Sequence, residues 1–419
     1  LDVNGAIDDV VPGASGRLAG HLSLTPEAMV LNAQIADARA GDLFVRAASV
    51  RAQGPLDAIA ATFDMRGRLN RAPLTFAGTA ALDLENSDVR IDGRGQLAGE
   101  DVFTRAPITA AWGNSELQAS VNVAMGDGVV QAQWRERGRA LTGSAQVEDA
   151  PIAPLAAIWG ERATGIIDGR MTLANNGRGL SGDADVTLRQ ARFAGRQRAP
   201  LDMRIVGALE PNRLRADVEA RSDDGLEARF EADAPVITSA DPIRIALAPE
   251  RRGRATWRVR GPAESLWAAA RLQDQSLQGD LDGEGVLEFG AGYLSGDGAI
   301  EISGGRFEDK LTGVTLINLD ARMAIDDNGV RIERFSAAGP RGGRLTATGG
   351  SVNPREGRII VVIDDMRVAD RPDAFARASG ELTLAWEDAQ SSFTGDLNIA
   401  EASIDLTANP EAGIPTMEV

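Results

Sequence analysis

The chain has no cysteine and a single histidine among 419 residues. Without thiols it can form neither a disulfide nor a thiolate metal site, and one imidazole cannot supply the paired ligands of the usual zinc sites. A Ser-His-Asp or Cys-His scheme would have to pass through His21, which sits in an alternating run between Gly20 and Leu22 and reads as surface filler. Aromatic residues are only 4% of the chain. Lysine is nearly missing: Lys310 stands alone and arginine carries the rest of the positive charge. No run approaches the roughly 20 apolar residues that cross a bilayer as a helix. Basic excess is absent too. A net charge of −17 excludes duplex nucleic acid as a natural partner, because such binding needs a basic face that displaces counterions. No signal peptide precedes Leu1, and Pro415-Thr416-Met417-Glu418-Val419 carries no closing signal. The expectation is an interior segment of a longer protein, with any anchor lying elsewhere.

What is present is period two. Across residues 280–325, Leu281, Gly283, Gly285, Leu287 and Phe289 alternate with Asp282, Glu284 and Glu288. Ile300 and Ile302 flank Glu301. Ile317, Leu319, Ala321, Met323 and Ile325 alternate with polar residues. Successive strand side chains point to opposite faces, so this is an antiparallel meander with one apolar and one wet face. Breaks rich in Gly and Asp (Gly290, Gly292, Gly304, Gly305, Asp326 to Gly329) supply turns. The same rhythm runs through residues 17–24, 29–35, 43–50, 58–69, 74–82 and 89–97, at spacings of about 8 to 16 residues. Pro55, Pro73 and Pro107 are expected at strand starts, where a missing N–H costs least.

Two stretches, 151–161 and 262–277, read as short helices. Each opens with a proline, which suits a first helical turn. Each puts a tryptophan, Trp159 or Trp267, on its apolar side, and each is expected to cap the sheet between blocks. The expected organisation is therefore sheet over 1–150, helix, sheet over 162–261, helix, and sheet over 278–419.

Internal repeats support a stack of like units. Leu180-Ser181-Gly182-Asp183 … Arg192-Phe193 matches Leu294-Ser295-Gly296-Asp297 … Arg306-Phe307, and downstream Leu201-Asp202-Met203-Arg204 echoes Leu319-Asp320-Ala321-Arg322. A second family pairs Leu141-Thr142-Gly143 … Val147 … Ala150 with Phe393-Thr394-Gly395 … Ile399 … Ala402. In both, the apolar phase slips by one residue (Leu188 to Ala191, Ile399 to Ala402), which requires a bulge or turn if the face is kept. Repeated supersecondary units argue for a quasi-one-dimensional array.

Chemistry is hard to place. Asp326-Asp327-Asn328-Gly329 lacks the spaced ligands and closing Glu of a calcium loop and reads as a hairpin turn. The glycine-rich runs 93–99 and 339–344 do not open a helix after a buried strand, so they read as loops rather than phosphate cradles. No catalytic constellation, metal site or cofactor site is expected. The apolar face remains. Its candidate residues are Leu287, Phe289, Ile300, Ile302, Leu319, Met323, Ile325, Leu345, Leu382, Leu384, Leu397 and Ile399. Two such sheets could close as an ordinary sandwich core. Alternatively, small aliphatics with few aromatics leave a trough for flexible apolar cargo.

The run Trp267 … Gln275-Ser276-Leu277-Gln278-Gly279, with Leu294-Ser295-Gly296, Gly305-Arg306-Phe307, Thr312-Gly313, Leu316 and Leu319, resembles the TamB proteins of Gram-negative bacteria. So do Gly342-Gly343-Arg344-Leu345-Thr346-Ala347-Thr348-Gly349 and Ala378-Ser379-Gly380 … Leu382 with the closing Pro415 to Val419. The similarity is clearest over residues 257–419. It implies membership of the AsmA-like group and an all-β fold: an elongated, repetitive antiparallel sheet bent into an open U-shaped groove, the β-taco. It further implies a periplasmic location within an inner-membrane-anchored protein and phospholipids as cargo between membranes. An Omp85-type outer-membrane partner, TamA, and a role in outer-membrane protein assembly are implied as well. The anchor and the part that meets the outer membrane are missing from this segment. Two further readings differ in class: a scaffold whose sheet edge pairs with unfolded strands, and an adhesin-like stalk with a dry interior.

Overall fold

The computed structural model describes residues 2–6, 14–25, 28–55, 57–113, 115–175, 177, 179–193, 199–240, 243–269, 274–290, 293–326, 329–353, 356–387 and 390–405. It is all-β apart from two seven-residue helices. The first strands are β1 (Asp2–Ala6), β2 (Ala14–Leu24), β3 (Met29–Ala40), β4 (Leu43–Gly54), β5 (Ile59–Leu69), β6 (Ala72–Asp83) and β7 (Asp88–Leu97). Then come β8 (Glu100–Gly113), β9 (Glu116–Met125), β10 (Gly128–Arg137) and β11 (Ala140–Pro151), helix α1 (Ile152–Ile158), β12 (Ala163–Asn175), β13 (Leu180–Phe193) and β14 (Leu201–Glu210). β15 (Arg213–Ser222), β16 (Glu227–Ala240), β17 (Ile243–Leu247) and β18 (Gly253–Pro262) lead to helix α2 (Ala263–Ala269). The chain continues through β19 (Gln275–Gly290), β20 (Tyr293–Asp309), β21 (Thr315–Asp326), β22 (Gly329–Ala338), β23 (Arg344–Asn353), β24 (Glu356–Asp370), β25 (Ala374–Glu387) and β26 (Gln390–Ile404).

The strands make a 26-stranded antiparallel sheet. From β1 to β14, and again from β18 to β26, each strand pairs with its neighbours in sequence. The sheet does not close: among the described residues β1 pairs only with β2, and β26 only with β25. The chain exposes 26061 Å², against about 15,500 Å² for a compact protein of its mass. No buried polar or charged residue occurs among the described ones. A closed sandwich would have hidden far more.

The contacts divide into two units. One comprises residues 1–194, 200–219 and 233–248; the other comprises 195–199, 220–232 and 249–419. In the first, α1 starts from the extended Pro151 without a side-chain cap, and Gly160 ends it at φ +75, its amide donating to the Ala157 carbonyl. That is the left-handed glycine that commonly closes a helix. Asn70, in the turn between β5 and β6, donates from Nδ2 to the carbonyls of Ala157 at 2.9 Å and Ile158 at 3.2 Å. Flat, the sheet from β6 to β11 would span about 24 Å, and a seven-residue helix covers about 10 Å. The sheet therefore curves toward the helix, which lies across its end.

The second unit curls at the corresponding end. The Asp370 amide, closing β24, donates to the Thr312 carbonyl in the β20–β21 turn at 3.0 Å, although β21 to β23 lie between β20 and β24 along the sheet. A core gathers beneath: Ala263, Leu277, Leu281, Ile302, Leu316, Leu319, Ala337, Ile363 and Met366, with Trp267 edge-on to Phe307 at 6.2 Å between centroids. Trp267 thus packs as expected. Trp159 does not: it follows the last residue of α1 and is 76% exposed. The α1 stripe that goes inward is Ile152, Pro154 and Ala157.

The phase slips in the repeats are bulges. The β13–β14 register jumps between Leu188 and Ala191, and both stay buried; β26 shifts between Ile399 and Glu401 opposite Arg377 and Ala378. Gln190 takes φ +53, Asp149 +48, Asn318 +52 and Asp365 +46, and Gly304 takes +59. A bulge leaves one amide without a ladder partner. Here a side chain of the next strand accepts it. Asp168 Oδ1 takes the Asp149 amide at 2.8 Å, Asp202 Oδ1 the Gln190 amide at 2.8 Å, Asp320 Oδ1 the Gly304 amide at 3.4 Å, and Ser379 Oγ the Asp365 amide at 2.9 Å. Leu180 aligned on Leu294 puts Gln190 on Gly304, and the Leu-Asp-x-Arg echo puts Asp202 on Asp320. The internal repeat therefore encodes two strands, a bulge and its acceptor. Bulges bend the strand and increase its twist, so they also mark where each sheet creases.

Four local expectations are corrected by the structure. Gly304 and Gly305 lie inside β20 at its bulge rather than between strands. Pro107 lies inside β8 where the register to β9 shifts, so its missing N–H falls in a gap of the ladder, not at a strand start. Gly93 to Leu97 belong to β7, not to a loop. The helix expected over 262–277 covers only Ala263–Ala269, and Gln275 already opens β19. Of the expected turn at 326–329, Asp327 and Asn328 lie outside the described residues.

Candidate functional site

The register places the twelve candidate residues on one face. Leu287 lies opposite Ala255 and Gly296; Phe289 is opposite Gly253 and in register with Leu294. Ile300 pairs with Gly283 and Met323, and Ile302 with Leu281 and Ala321. Ile325 pairs with Gly298, and Leu319 with Gly305 after the bulge. Farther on, Leu345 pairs with Ala337 and Ile363, Leu382 with Val361, Leu384 with Ile359, Leu397 with Gly380, and Ile399 with Ala378. Since directly paired residues share a face, Leu, Ile, Val, Met and Ala cover this side of the second unit from β18 to β26.

Burial grades across that face. Ile302 and Leu319 join the core beneath α2. Leu287, Phe289, Ile300, Met323, Ile325, Leu345, Leu382 and Leu384 are half-buried, still touching solvent. On β26, Leu397 is 39% and Ile399 58% exposed. The first unit repeats the arrangement, with two hollows in its apolar face. One, of about 330 Å³, is lined by Ile35, Val45, Val50, Phe63 and Met65. The other, of about 250 Å³, is lined by Val121, Ala132, Trp134, Ala145, Met171 and Leu173.

The reverse face is laced with ion pairs. Arg322 bridges Glu301 at 3.3 Å and Glu333 at 3.0 Å, Arg334 adds a second contact to Glu301, and Arg260 meets Asp282 at 2.7 Å. Hydrogen bonding to Arg258 holds the Glu284 carboxyl below the usual carboxylate range. In the first unit, the Asp149 amide and Arg189 do the same for Asp168, and Arg204 for Asp185. Such exposed pairs add little to stability, because water and salt screen them. They keep this side wet. A hollow of about 1160 Å³ on it is rimmed by Arg252, Arg254, Arg258, Glu284, Glu288 and Asp297.

His21 is exposed on β2 opposite Asn32. No group of three His, Asp or Glu side chains that could hold a metal ion occurs among the described residues. No helix among them is long and apolar enough to cross a membrane.

Four tryptophans on the apolar face were not anticipated: Trp112, Trp134, Trp257 and Trp386. Their strand parity could have revealed them. Trp134 shares the parity of Ala132 and Val130, and Trp386 that of Leu384 and Leu382.

No protein-family model matches the chain, and no curated protein matches it.

Proposed function

We propose that the apolar face of each unit shields lipid acyl chains from water, as a passive conduit segment. The observation that supports this is the register. It lines up Leu, Ile, Val and Met on one face over many strands and leaves most of them half-exposed instead of sealed in a core. Each buried CH₂ is worth about 0.8 kcal/mol, so a two-tailed lipid with on the order of 30 such groups needs unbroken apolar cover to leave a bilayer. Interchangeable aliphatic side chains give that cover without a deep well at any point. On this reading, and on the resemblance to TamB proteins, the cargo is phospholipid and the setting is the periplasm, between an inner-membrane anchor and an Omp85-type outer-membrane partner.

A charge in the trough should block occupancy, because desolvating it costs several kcal/mol. Leu287→Arg is expected to remove copurifying phospholipid, read by native mass spectrometry after gentle extraction, while Ile300→Ala leaves it nearly unchanged. Full lipid retention by Leu287→Arg would sink the conduit.

A second reading, a scaffold for outer-membrane strands, draws on β26. This strand is 15 residues long, exposed throughout and, among the described residues, paired on one side only. Long open edges are templates for strand addition. That reading expects tolerance of Leu287→Arg and loss of function from prolines scanned along residues 392–398.

A further inference from the structure

Three of the four tryptophans on the apolar face have a glycine directly opposite in the ladder. Trp134 faces Gly143, Trp257 faces Gly285, and Trp386 faces Gly357. Glycine is 47 of 419 residues, so a glycine opposite three of these four tryptophans is more than random placement gives. None of these glycines has positive φ. What they provide is room. A Cβ on Gly143 would lie 2.8 Å from Trp134 Cε3 with no backbone atom close by, and one on Gly285 would lie 2.7 Å from the Asp297 carbonyl oxygen and 2.8 Å from Trp257 Nε1. Trp257 spreads farther: a Cβ on Gly283 would be 3.1 Å from its Cζ3, and one on Gly298 3.2 Å from its Cζ2. At Gly357 the Trp386 ring occupies the Cβ position itself. Each indole is therefore laid flat on the sheet, in a bed of absent side chains. Trp112 is the contrast. It faces Leu117 and is 44% exposed.

We propose that these Trp–Gly pairs set the clearance of the trough. The glycine keeps the ring down, so a flat aromatic floor replaces what would be an obstruction, and an extended acyl chain can lie over it. A side chain at the glycine would lift the indole into the space the acyl chain uses. This rests on the conduit reading and assigns particular residues to it.

The test uses the full chain and phospholipid brominated along its acyl chains. Wild type should retain lipid and show tryptophan quenching. Gly143→Ala, whose new Cβ meets only the Trp134 ring at close range, should cut retained lipid at least twofold at an unchanged unfolding midpoint, and Gly143→Ala with Trp134→Leu should restore it. Trp134→Leu alone should retain as much lipid as wild type, which keeps the test valid if Gly143→Ala folds poorly. Undiminished lipid in Gly143→Ala, or no rescue by the double variant, overturns the clearance role and leaves the conduit standing. Loss of lipid in Trp134→Leu overturns it as well, since the ring would then be a contact and not an obstacle. A wild type that retains no lipid and shows no quenching overturns both.

Discussion

The block α1–β12–β13–β14 in one unit and the block α2–β19–β20–β21 in the other are built from the same sequence plan, and they are held differently. In the first, the bulge is a strained Gln190 capped by Asp202 at 2.8 Å. In the second it is an unstrained Gly304, held more loosely by Asp320 at 3.4 Å. The helices differ in the same spirit. Beneath α1 lies a small core of Ile152, Ala163, Leu188 and Ala191, and Asn70 ties the helix end by hydrogen bonds. α2 drives Trp267 into a larger core. The crease is the common element. How its end is covered varies, by polar ties in one unit and by apolar burial in the other.

Breaking the helix covers should expose that difference most. Trp267→Ala removes a packed indole and is expected to destabilise the second unit by about 3 kcal/mol; Trp159→Ala, at an exposed ring, should change stability by no more than about 0.5 kcal/mol. Urea unfolding of both variants decides it. Equal losses would mean the two helices cover their sheets alike.

The bulges should give smaller, opposite asymmetries. Asp202→Ala orphans the Gln190 amide and should cost about 1 kcal/mol, and Asp320→Ala less, its contact being longer. Gly304→Ala meets no neighbouring atom, so its cost, about 1 kcal/mol, is the left-handed backbone alone. Hydrogen exchange at Gln190 and Gly304 reports each site separately.

The smallest effect is on pH. Asp168 accepts the Asp149 bulge amide and its carboxyl is held low, first by that amide and then by Arg189. A lowered folded value means that its stabilisation is complete above the ordinary carboxylate value of about 3.9 and is lost as pH falls through the folded value. The Asp365 bulge is capped by the hydroxyl of Ser379, which does not titrate in this range. Exchange at the Asp149 amide should therefore accelerate below pH 4, and that at Asp365 should respond less; Asp168→Asn should remove the contrast.

Much of this was legible in the chain. Period two gave the strands and the shared face of residues as far apart as Leu287 and Ile399, because alternation survives in antiparallel pairs. The slip from Leu188 to Ala191 announced a bulge. What could not be read was which atom accepts the freed amide, since Asp202 and Gln190 meet only through the register of two strands. The Trp–Gly beds were hidden for the same reason: Trp257 and Gly285 are neighbours in the ladder but not along the chain. Gly304 and Gly305 misled because glycine serves bulges as readily as turns. Trp159 misled because it lies one residue beyond the helix whose face it was assigned to.

Pairing between neighbours in sequence has a consequence for how such a chain acquires its structure. Most contacts close only one hairpin, so loop-closure entropy stays small and folding can advance as a front, each new strand templated by the last. A chain delivered end-first, as from a ribosome or a secretion channel, could add strands in the order they emerge. It would also grow in evolution by the insertion of paired strands: two added strands restore the direction of the chain, and the apolar face would run on unbroken.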